Sequence, residues 1–126
     1  MRRKNIKWII ALVVIAAVIG LWAFANNRPS RLDGFAQCLK EKNAIFYGAF
    51  WCPHCQNQKR LFGRSVRFLS YVECSTPDGR SQTAACTEKN IEGYPTWEFA
   101  DQSRISGEAT LEQLSEKTGC TIPPEK

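Results

Sequence analysis

Residues 51–55 (WCPHC) are the stretch around which the rest of the chain is interpreted. The apolar run 44–50 (AIFYGAF) before them predicts a buried strand, and residues 56–62 (QNQKRLF) after them predict a helix. Cys52 therefore lies at a helix N-terminus, where free backbone N–H groups and the helix dipole favour a thiolate. Cys55 follows three residues later on the same helical face, so the two sulfurs can form a disulfide. The pattern predicts a redox-active dithiol.

Two other interpretations of this pattern involve no electron exchange. A structural zinc site uses Cys-x-x-Cys, but it normally needs a second ligand pair at similar spacing. His54 is the only histidine, and the other cysteines are far apart: Cys38, Cys74, Cys86 and Cys120. A purely structural bridge between Cys52 and Cys55 would close so short a loop that it constrains the unfolded chain little. We therefore favour the redox interpretation and predict no metal and no cofactor other than the dithiol itself.

The composition of the chain indicates one small exported domain. Its 126 residues suit a single domain, and six cysteines in that length indicate an oxidising compartment. Four of the 17 basic residues lie in residues 2–7, which leaves 13 against the 12 acidic residues further along. The folded part is therefore almost neutral and lacks the charge of a nucleic-acid-binding protein.

The N-terminal segment predicts a membrane anchor or a signal peptide. Residues 8–25 (WIIALVVIAAVIGLWAFA) carry no charge and are just long enough to span a membrane. The basic residues before them orient the N-terminus toward the cytoplasm, so the domain lies on the other side. Residues 23–25 (AFA) also fit a signal-peptide cleavage site. We favour an uncleaved anchor over residues 1–25, and both alternatives export the domain.

The rest of the chain predicts an α/β sandwich with a mixed sheet. A polar linker (26–31) leads into the domain (32–120), and a loose tail (121–126) follows it. Besides the strand and helix that flank residues 51–55, the patterns predict helices at 32–42, 83–90 and 110–118, and strands at 66–74, 97–99 and around 104–106.

Three segments carry a resemblance to a known family. Residues 47–55 (YGAFWCPHC), 71–74 (YVEC) and 93–97 (GYPTW) resemble thioredoxin-fold thiol–disulfide oxidoreductases. Within that family the three segments are most similar to one thioredoxin-like domain. This domain occurs either fused to vitamin K epoxide reductase homologues or as their separate partner. The resemblance covers about residues 32–120. It implies a thioredoxin-like fold with a central mixed sheet flanked by helices, here preceded by one transmembrane helix.

The resemblance also implies roles for residues of the site. Cys52 would be the attacking thiolate and Cys55 the resolving thiol. Pro95 would be a cis-proline facing the disulfide, and Tyr94 would offer backbone hydrogen bonds to a substrate peptide. Trp51 would join them in binding the substrate.

Two further residues of the pentad complete the predicted catalytic set. Pro53 suits the first helical turn, where no backbone N–H is needed. His54 and the helix N-terminus are expected to stabilise the Cys52 thiolate. That effect stabilises the reduced protein and makes it a stronger oxidant.

One departure from the family concerns proton transfer to Cys55. Many thioredoxin-fold enzymes carry a buried acid six residues before the first cysteine, where this chain has Phe46. Water or Glu98 would have to serve instead. We favour the interpretation of Glu98 as a solvated strand residue, since acids are mostly exposed.

The other cysteines are expected to be structural. Cys74 and Cys86 flank a polar loop whose closure would stabilise the fold by about 3 kcal/mol, and the resemblance favours their pairing. Cys38 and Cys120 then either pair by elimination or remain free.

The leading functional hypothesis is an anchored oxidant of exported proteins, recharged by a quinone-linked partner similar to vitamin K epoxide reductase. The first alternative is a tethered reductant for exported thiols. The second is a non-catalytic binding or chaperone module, which would not need to retain both cysteines of the pentad.

Overall fold

The computed structural model describes residues 2–125, with side chains described from Asn5 onward. That description leaves out Met1, the first residue of the predicted anchor, and Lys126, the last residue of the predicted tail. It also leaves out the side chains of the basic residues 2–4. The helices are α1 (Arg2–Asn26), α2 (Asp33–Glu41), α3 (Pro53–Phe62), α4 (Ala84–Glu88) and α5 (Leu111–Thr118). The strands are β1 (Ile45–Gly48), β2 (Ser70–Glu73), β3 (Thr96–Glu98) and β4 (Arg104–Ser106).

The four strands form one mixed sheet in the order β2-β1-β3-β4. β1 runs parallel to β2, with Phe46 opposite Tyr71, and antiparallel to β3, with Phe46 opposite Trp97. β4 closes the sheet as an antiparallel edge strand next to β3. The mixed sheet with flanking helices confirms the predicted thioredoxin-like α/β fold, preceded by an apolar N-terminal helix.

Alternating residues of the central strands divide the core between the two faces of the sheet. On one face, Phe46 stacks on Trp97 with ring centroids 5.0 Å apart, and Phe62 of α3 packs against the same indole. Cys55 belongs to this larger cluster. On the other face, Tyr47 packs in a smaller cluster of buried residues with Cys74, Cys86 and Ile91. The site at the end of β1 is thus supported from both sides.

The segment that connects α3 to β2 differs from the sequence prediction. A strand was expected over residues 66–74, but residues Gly63–Phe68 form a 3₁₀ helix and β2 begins at Ser70. Gly63 ends α3 with a φ of 53°, a conformation that favours glycine, and turns the chain into the 3₁₀ helix. Val66 and Phe68 then pack against the main core from this helix, so their apolar character served packing rather than strand pairing.

The C-terminal part of the domain is held by a helix cap and by contacts of the tail. Thr110 and Gln113 form a reciprocal capping box at the start of α5, and Gly119 ends the helix in the left-handed region. The tail after Cys120 was expected to be loose. It has no regular secondary structure, but Ile122 packs against the core and the carbonyl of Pro123 accepts a hydrogen bond from Arg31.

Helix α1 carries no charge over residues 8–25, and its side chains from Asn5 onward are exposed. Within the described residues, Asn5–Asn26 is the one helix that is long and apolar enough to cross a membrane. Its most apolar stretch has a mean hydropathy of 2.7 and contains no buried residue. Length and composition fit a membrane span or a signal sequence equally. The domain contacts the end of α1, where Arg64 donates to the carbonyl oxygen of Ala25.

Candidate active site

The two cysteines of the pentad meet where the loop after β1 enters α3. Cys52 is the N-cap of α3, and its Sγ accepts a hydrogen bond from the backbone N–H of Cys55 at 3.2 Å. Pro53 is the first residue of the helix, where its missing N–H costs nothing. The Cys55 thiol donates to Cys52 Sγ, and the two sulfurs are 2.7 Å apart. The pair is therefore a dithiol here, close enough to form a disulfide with little movement.

The buried side chain of Gln58 fixes the position of α3 against the rest of the domain. Its amide oxygen accepts from the backbone N–H of Ala109 at 2.7 Å, and its amide nitrogen donates to the Ala109 carbonyl at 3.0 Å. This paired contact joins the active-site helix to the segment before α5. The contact therefore helps to fix the position of α3, which carries Cys55, within the domain.

The loop before β3 forms the second wall of the site. The Tyr94–Pro95 peptide bond is cis, and the Tyr94 carbonyl oxygen lies 3.7 Å from Cys52 Sγ. Trp51 packs edge-on against the Tyr94 ring and donates its indole N–H to Ser75 Oγ at 2.9 Å. The structure thus brings together the three residues predicted to bind a substrate.

The surface next to the dithiol is apolar. Phe50 and Trp51 are about half exposed, at 48 % and 53 %, although both have large apolar side chains. Their rings lie 3.7 Å and 3.6 Å from the position that a Cβ on Gly79 would occupy, so the loop between β2 and α4 backs them. Cys52 lies beside this apolar surface and is 4 % exposed.

Cys55 lies deeper than Cys52 and is completely buried. A Cβ added to Gly48 would be 3.2 Å from Cys55 Sγ, 3.0 Å from Tyr71 Cε2 and 3.4 Å from Phe46 Cε2, so the sulfur lies against two aromatic rings. Burial raises the pKa of the Cys55 thiol well above its usual range, and the hydrogen bond to Cys52 raises it further. Phe46 indeed replaces an acid beneath this sulfur.

Glu98 was interpreted as a solvated strand residue, and that prediction is wrong. Its side chain is only 7 % exposed and forms ion pairs with Lys89 and Arg104. Burial raises its pKa, but the hydrogen bonds and charges of these two bases outweigh burial and hold the pKa below the usual value. Glu98 alternates with Trp97 on β3 and so faces away from the cluster that contains Cys55. It is therefore in no position to act as its proton relay.

His54 contacts an acid rather than the neighbouring sulfur. Its Nδ1 lies 2.7 Å from Glu108 Oε1, and Asn57 donates to the same oxygen at 3.1 Å. The hydrogen bond with His54 lowers the pKa of Glu108, so the carboxylate is ionised at neutral pH. Because His54 is 70 % exposed and Glu108 41 %, solvent screens the pair and limits its contribution to stability.

The remaining four cysteines form two disulfides. Cys74 pairs with Cys86, and Cys38 pairs with Cys120. The first pair is buried in a cluster with Tyr47, whereas the second pair ties α2 to the end of the domain just after α5. Cys52 and Cys55 are left as the free cysteines. Among the described residues, no cluster of three or more His, Cys, Asp or Glu side chains is placed to hold a metal ion.

Several residues that shape the site were missed by sequence reasoning. Tyr71 and Glu73 lie on β2, and the Tyr71 hydroxyl donates to Glu73 Oε2 at 2.7 Å. Lys59 lies 3.7 Å from the centroid of the Tyr71 ring. Glu108 reaches the site from a loop 54 residues away from His54. The one available signal was the position of Lys59, which is one helical turn after Cys55.

No family model matches the chain, but it is similar to several curated proteins. It is 35 % identical to "Thiol-disulfide oxidoreductase LTO1" of Arabidopsis thaliana, over 90 % of this chain and 36 % of that relative. It is 25 % identical to "Protein disulfide isomerase-like 5-1" of Oryza sativa subsp. japonica, over 90 % of this chain and 83 % of the relative. "Protein disulfide-isomerase erp38" of Neurospora crassa is also 25 % identical, with 34 % of its length covered.

These relatives bear on the class of protein rather than on its partners. The chain spans only about a third of the length of the first of them. The names of these relatives all refer to disulfide chemistry, and this chain has the thioredoxin-like fold with one free dithiol at a helix N-terminus. Fold, site and relatives together support the prediction of a thiol–disulfide oxidoreductase.

Proposed function

We propose that the protein is an exported, membrane-anchored thiol–disulfide oxidoreductase that exchanges disulfides with protein substrates through Cys52 and Cys55. The observation that carries this proposal is the state of the six cysteines. Four are tied in disulfides, and the two that remain lie 2.7 Å apart at the start of α3. A dithiol kept free at a helix N-terminus, beside an exposed apolar surface, suits exchange with a peptide thiol.

The order of attack follows from the different burial of the two sulfurs. Cys52 Sγ accepts the N–H of Cys55 and lies at the apolar surface, so a substrate sulfur can approach it. Cys55 is fully buried and is reached only from Cys52. A substrate thiolate attacks Cys52 in the oxidised protein, and the electron pair of the broken bond goes to Cys55. A second substrate thiolate then attacks the mixed disulfide and releases Cys52 as a thiolate, so the substrate leaves oxidised.

The favoured direction is oxidation of exported proteins. The N–H of Cys55 and the positive end of the α3 dipole stabilise Cys52 as a thiolate, and a stabilised thiolate favours the reduced protein. A protein whose reduced form is favoured passes its disulfide on readily. We propose that a quinone-linked membrane protein similar to vitamin K epoxide reductase restores the disulfide, on the basis of the three sequence segments that resemble its associated domain.

One observation favours the tethered reductant as the second candidate. The carboxylate of Glu108 lies 2.7 Å from His54 Nδ1 and would offset a positive charge on the imidazole. The imidazole then adds less stabilisation to Cys52 than an unpaired histidine would add. A weaker thiolate favours the disulfide form, which is the property of a reductant.

The redox potential of the Cys52–Cys55 pair decides between the two directions. Equilibration of the full-length chain with a series of glutathione ratios gives this potential. An oxidant should lie toward about −120 mV and a reductant toward about −270 mV. In parallel, the oxidised chain should introduce disulfides into a reduced, unfolded protein, and the Cys52→Ser variant should not. No exchange by the parent chain in either direction would refute the proposed function and favour a binding module.

Anchoring by α1 requires a separate test. An uncleaved anchor predicts that the protein from membranes retains residues 1–25 and resists extraction by carbonate. Intact-mass measurement of the mature protein shows whether the segment is present. A mature N-terminus at Asn26 would mean that the helix is a signal sequence and that the domain is released.

A further inference from the structure

Lys59 and Cys55 share one corner of the domain beneath the active-site surface. Lys59 lies one helical turn after Cys55 on α3, so both side chains project from the same face. The Lys59 ammonium is 3.7 Å from the centroid of the Tyr71 ring. The same ring borders the sulfur, because a Cβ on Gly48 would lie 3.0 Å from Tyr71 Cε2 and 3.2 Å from Cys55 Sγ.

The ring that holds the ammonium is itself fixed. The Tyr71 hydroxyl donates to Glu73 Oε2 at 2.7 Å. The other oxygen of Glu73 accepts from the backbone N–H groups of Phe50 and Ser75 at 3.1 Å and 3.0 Å. The carboxylate therefore anchors the hydroxyl end of the ring, while the ammonium lies over its face. A cation over an aromatic face is attracted by the ring quadrupole, so Lys59 is kept at this corner although its side chain is half-buried.

Among the described residues, Lys59 is the cation whose charge acts on Cys55. The ionisable groups that face it are Cys52 at the surface, Lys59 from its own helix, and Tyr71 from β2 with Glu73 bonded behind it. Burial and the Cys52 hydrogen bond raise the pKa of Cys55, whereas the charge of Lys59 acts in the opposite direction. The nearest side chain of β1 is a phenylalanine and offers neither charge nor proton.

The exchange reaction creates a negative charge in this corner. When a substrate thiolate attacks Cys52 Sγ, a new sulfur–sulfur bond forms and the Cys52–Cys55 bond breaks. The electron pair of the broken bond stays on Cys55 Sγ, which becomes a thiolate in a fully buried position. A buried charge without a partner is costly, so the step needs a nearby cation or a proton.

We propose that Lys59, held over the Tyr71 ring, is the cation that stabilises Cys55 as a thiolate when the disulfide opens. It is a positioning residue, since it acts on the charge of the sulfur and exchanges no bond itself. The same charge favours the Cys55 thiolate that resolves a mixed disulfide in the reverse direction. The inference rests on the proposed function, because it concerns a step of the Cys52–Cys55 exchange.

The test titrates Cys55 alone in the full-length chain. In a Cys52→Ala background the other four cysteines are bonded, and loss of the Cys52 sulfur opens the path by which Cys55 is reached. The rate of alkylation by iodoacetamide against pH then reports the Cys55 thiolate. At pH values below about 9, where a lysine ammonium is charged, Lys59→Met should lower the alkylation rate about tenfold, which corresponds to a rise of about one unit in the pKa of Cys55. Lys59→Arg should return the profile to that of the parent, since it restores the charge. With both active-site cysteines present, Lys59→Met should slow opening of the disulfide by a similar factor.

Lys117→Met is the matched control. Its ammonium also lies over an aromatic ring, 5.9 Å from the centroid of Phe99, but away from the dithiol. It should leave the Cys55 profile unchanged. An unchanged profile in Lys59→Met, or an equal shift in Lys117→Met, would overturn the inference. If Lys59→Met does not fold by circular dichroism, Lys59→Gln replaces it with the same expected shift.

The titration also separates this inference from the proposed function. It needs no substrate and no exchange activity. If the parent chain exchanges disulfides but Lys59→Met does not change the pH profile of Cys55 alkylation, only the inference is overturned. A parent chain without exchange would overturn the proposed function, and the profile would still decide whether Lys59 stabilises the thiolate.

Discussion

Removal of each structural disulfide should destabilise the domain by an amount set by the loop that it closes. The Cys38–Cys120 bridge joins residues 82 apart, and the Cys74–Cys86 bridge joins residues 12 apart. The loss of chain entropy on closing such loops corresponds to about 4.5 kcal/mol and about 3 kcal/mol. The double replacement Cys38→Ala/Cys120→Ala should therefore lower the free energy of unfolding by about 1.5 kcal/mol more than Cys74→Ala/Cys86→Ala.

Urea unfolding of the full-length variants, followed by tryptophan fluorescence, measures the two losses. Equal losses, or a larger loss for the shorter loop, would refute the assignment of the stabilisation to loop entropy. The Cys74→Ala/Cys86→Ala variant should leave the redox potential of the active-site pair unchanged, because Cys74 and Cys86 pack on the opposite side of the sheet from Cys55. A Cys74→Ala/Cys86→Ala protein that no longer passed electrons to a membrane partner would instead identify that bridge as a second, shuttle disulfide.

Three further predictions concern single residues. Gly48→Ala should cost about 1–3 kcal/mol of unfolding free energy and slow exchange, because the added methyl would press on the buried sulfur and its aromatic neighbours; an unchanged urea midpoint would contradict this close packing. Arg104→Met should cost about 3 kcal/mol at pH 7, since it removes a partner of the buried Glu98 carboxylate. The lowered pKa of Glu98 means that its contribution is present above its unfolded pKa, near 4.5, and is lost as the pH falls through the folded value. The cost of Arg104→Met should accordingly shrink in urea unfolding at pH 3, and a cost independent of pH would contradict the ion-pair account. His54→Gln should make the potential of the dithiol more negative by about 30 mV, because it leaves the Glu108 carboxylate near the dithiol without its histidine partner. Adding Glu108→Gln to His54→Gln should reverse part of the shift; no shift in either variant would exclude an electrostatic role of His54.

The dithiol could be predicted from the sequence because its information is local. An apolar strand, two cysteines three residues apart and a following helix are contiguous, and the helix terminus determines which sulfur is favoured as a thiolate. The helix over residues 110–118 was predicted for the same reason, since the groups of the capping box at Thr110 lie within one turn. These features could be predicted because the groups that interact are close together in the sequence.

The segment that leads into β2 could not be predicted because its pattern of apolar residues fits both a strand and a 3₁₀ helix packed on the core. Val66 and Phe68 are β-branched and aromatic, which favours a strand, but they pack on the core from a 3₁₀ helix. The outcome depended on Gly63, whose positive φ redirects the chain after α3. Tertiary packing thus overrode local propensity.

The charged surroundings of the site depend on contacts between distant parts of the chain. Glu108 meets His54 across 54 residues, and Lys59 of α3 meets Tyr71 of β2 across the 3₁₀ segment. Glu98 was judged from the average exposure of acids, whereas two bases brought in by tertiary folding allow it to be buried. Residue spacing in a single sequence does not predict these long-range contacts.

Trapping of mixed disulfides tests the central claim most directly, since it asks which sulfur meets the substrate. The exposed position of Cys52 beside the apolar surface, and the complete burial of Cys55, assign attack to the first and resolution to the second. Full-length Cys55→Ser should therefore accumulate mixed disulfides with exported proteins, visible as bands that disappear on reduction, and Cys52→Ser should accumulate none. Equal trapping by the two variants, or trapping by Cys52→Ser alone, would contradict the account.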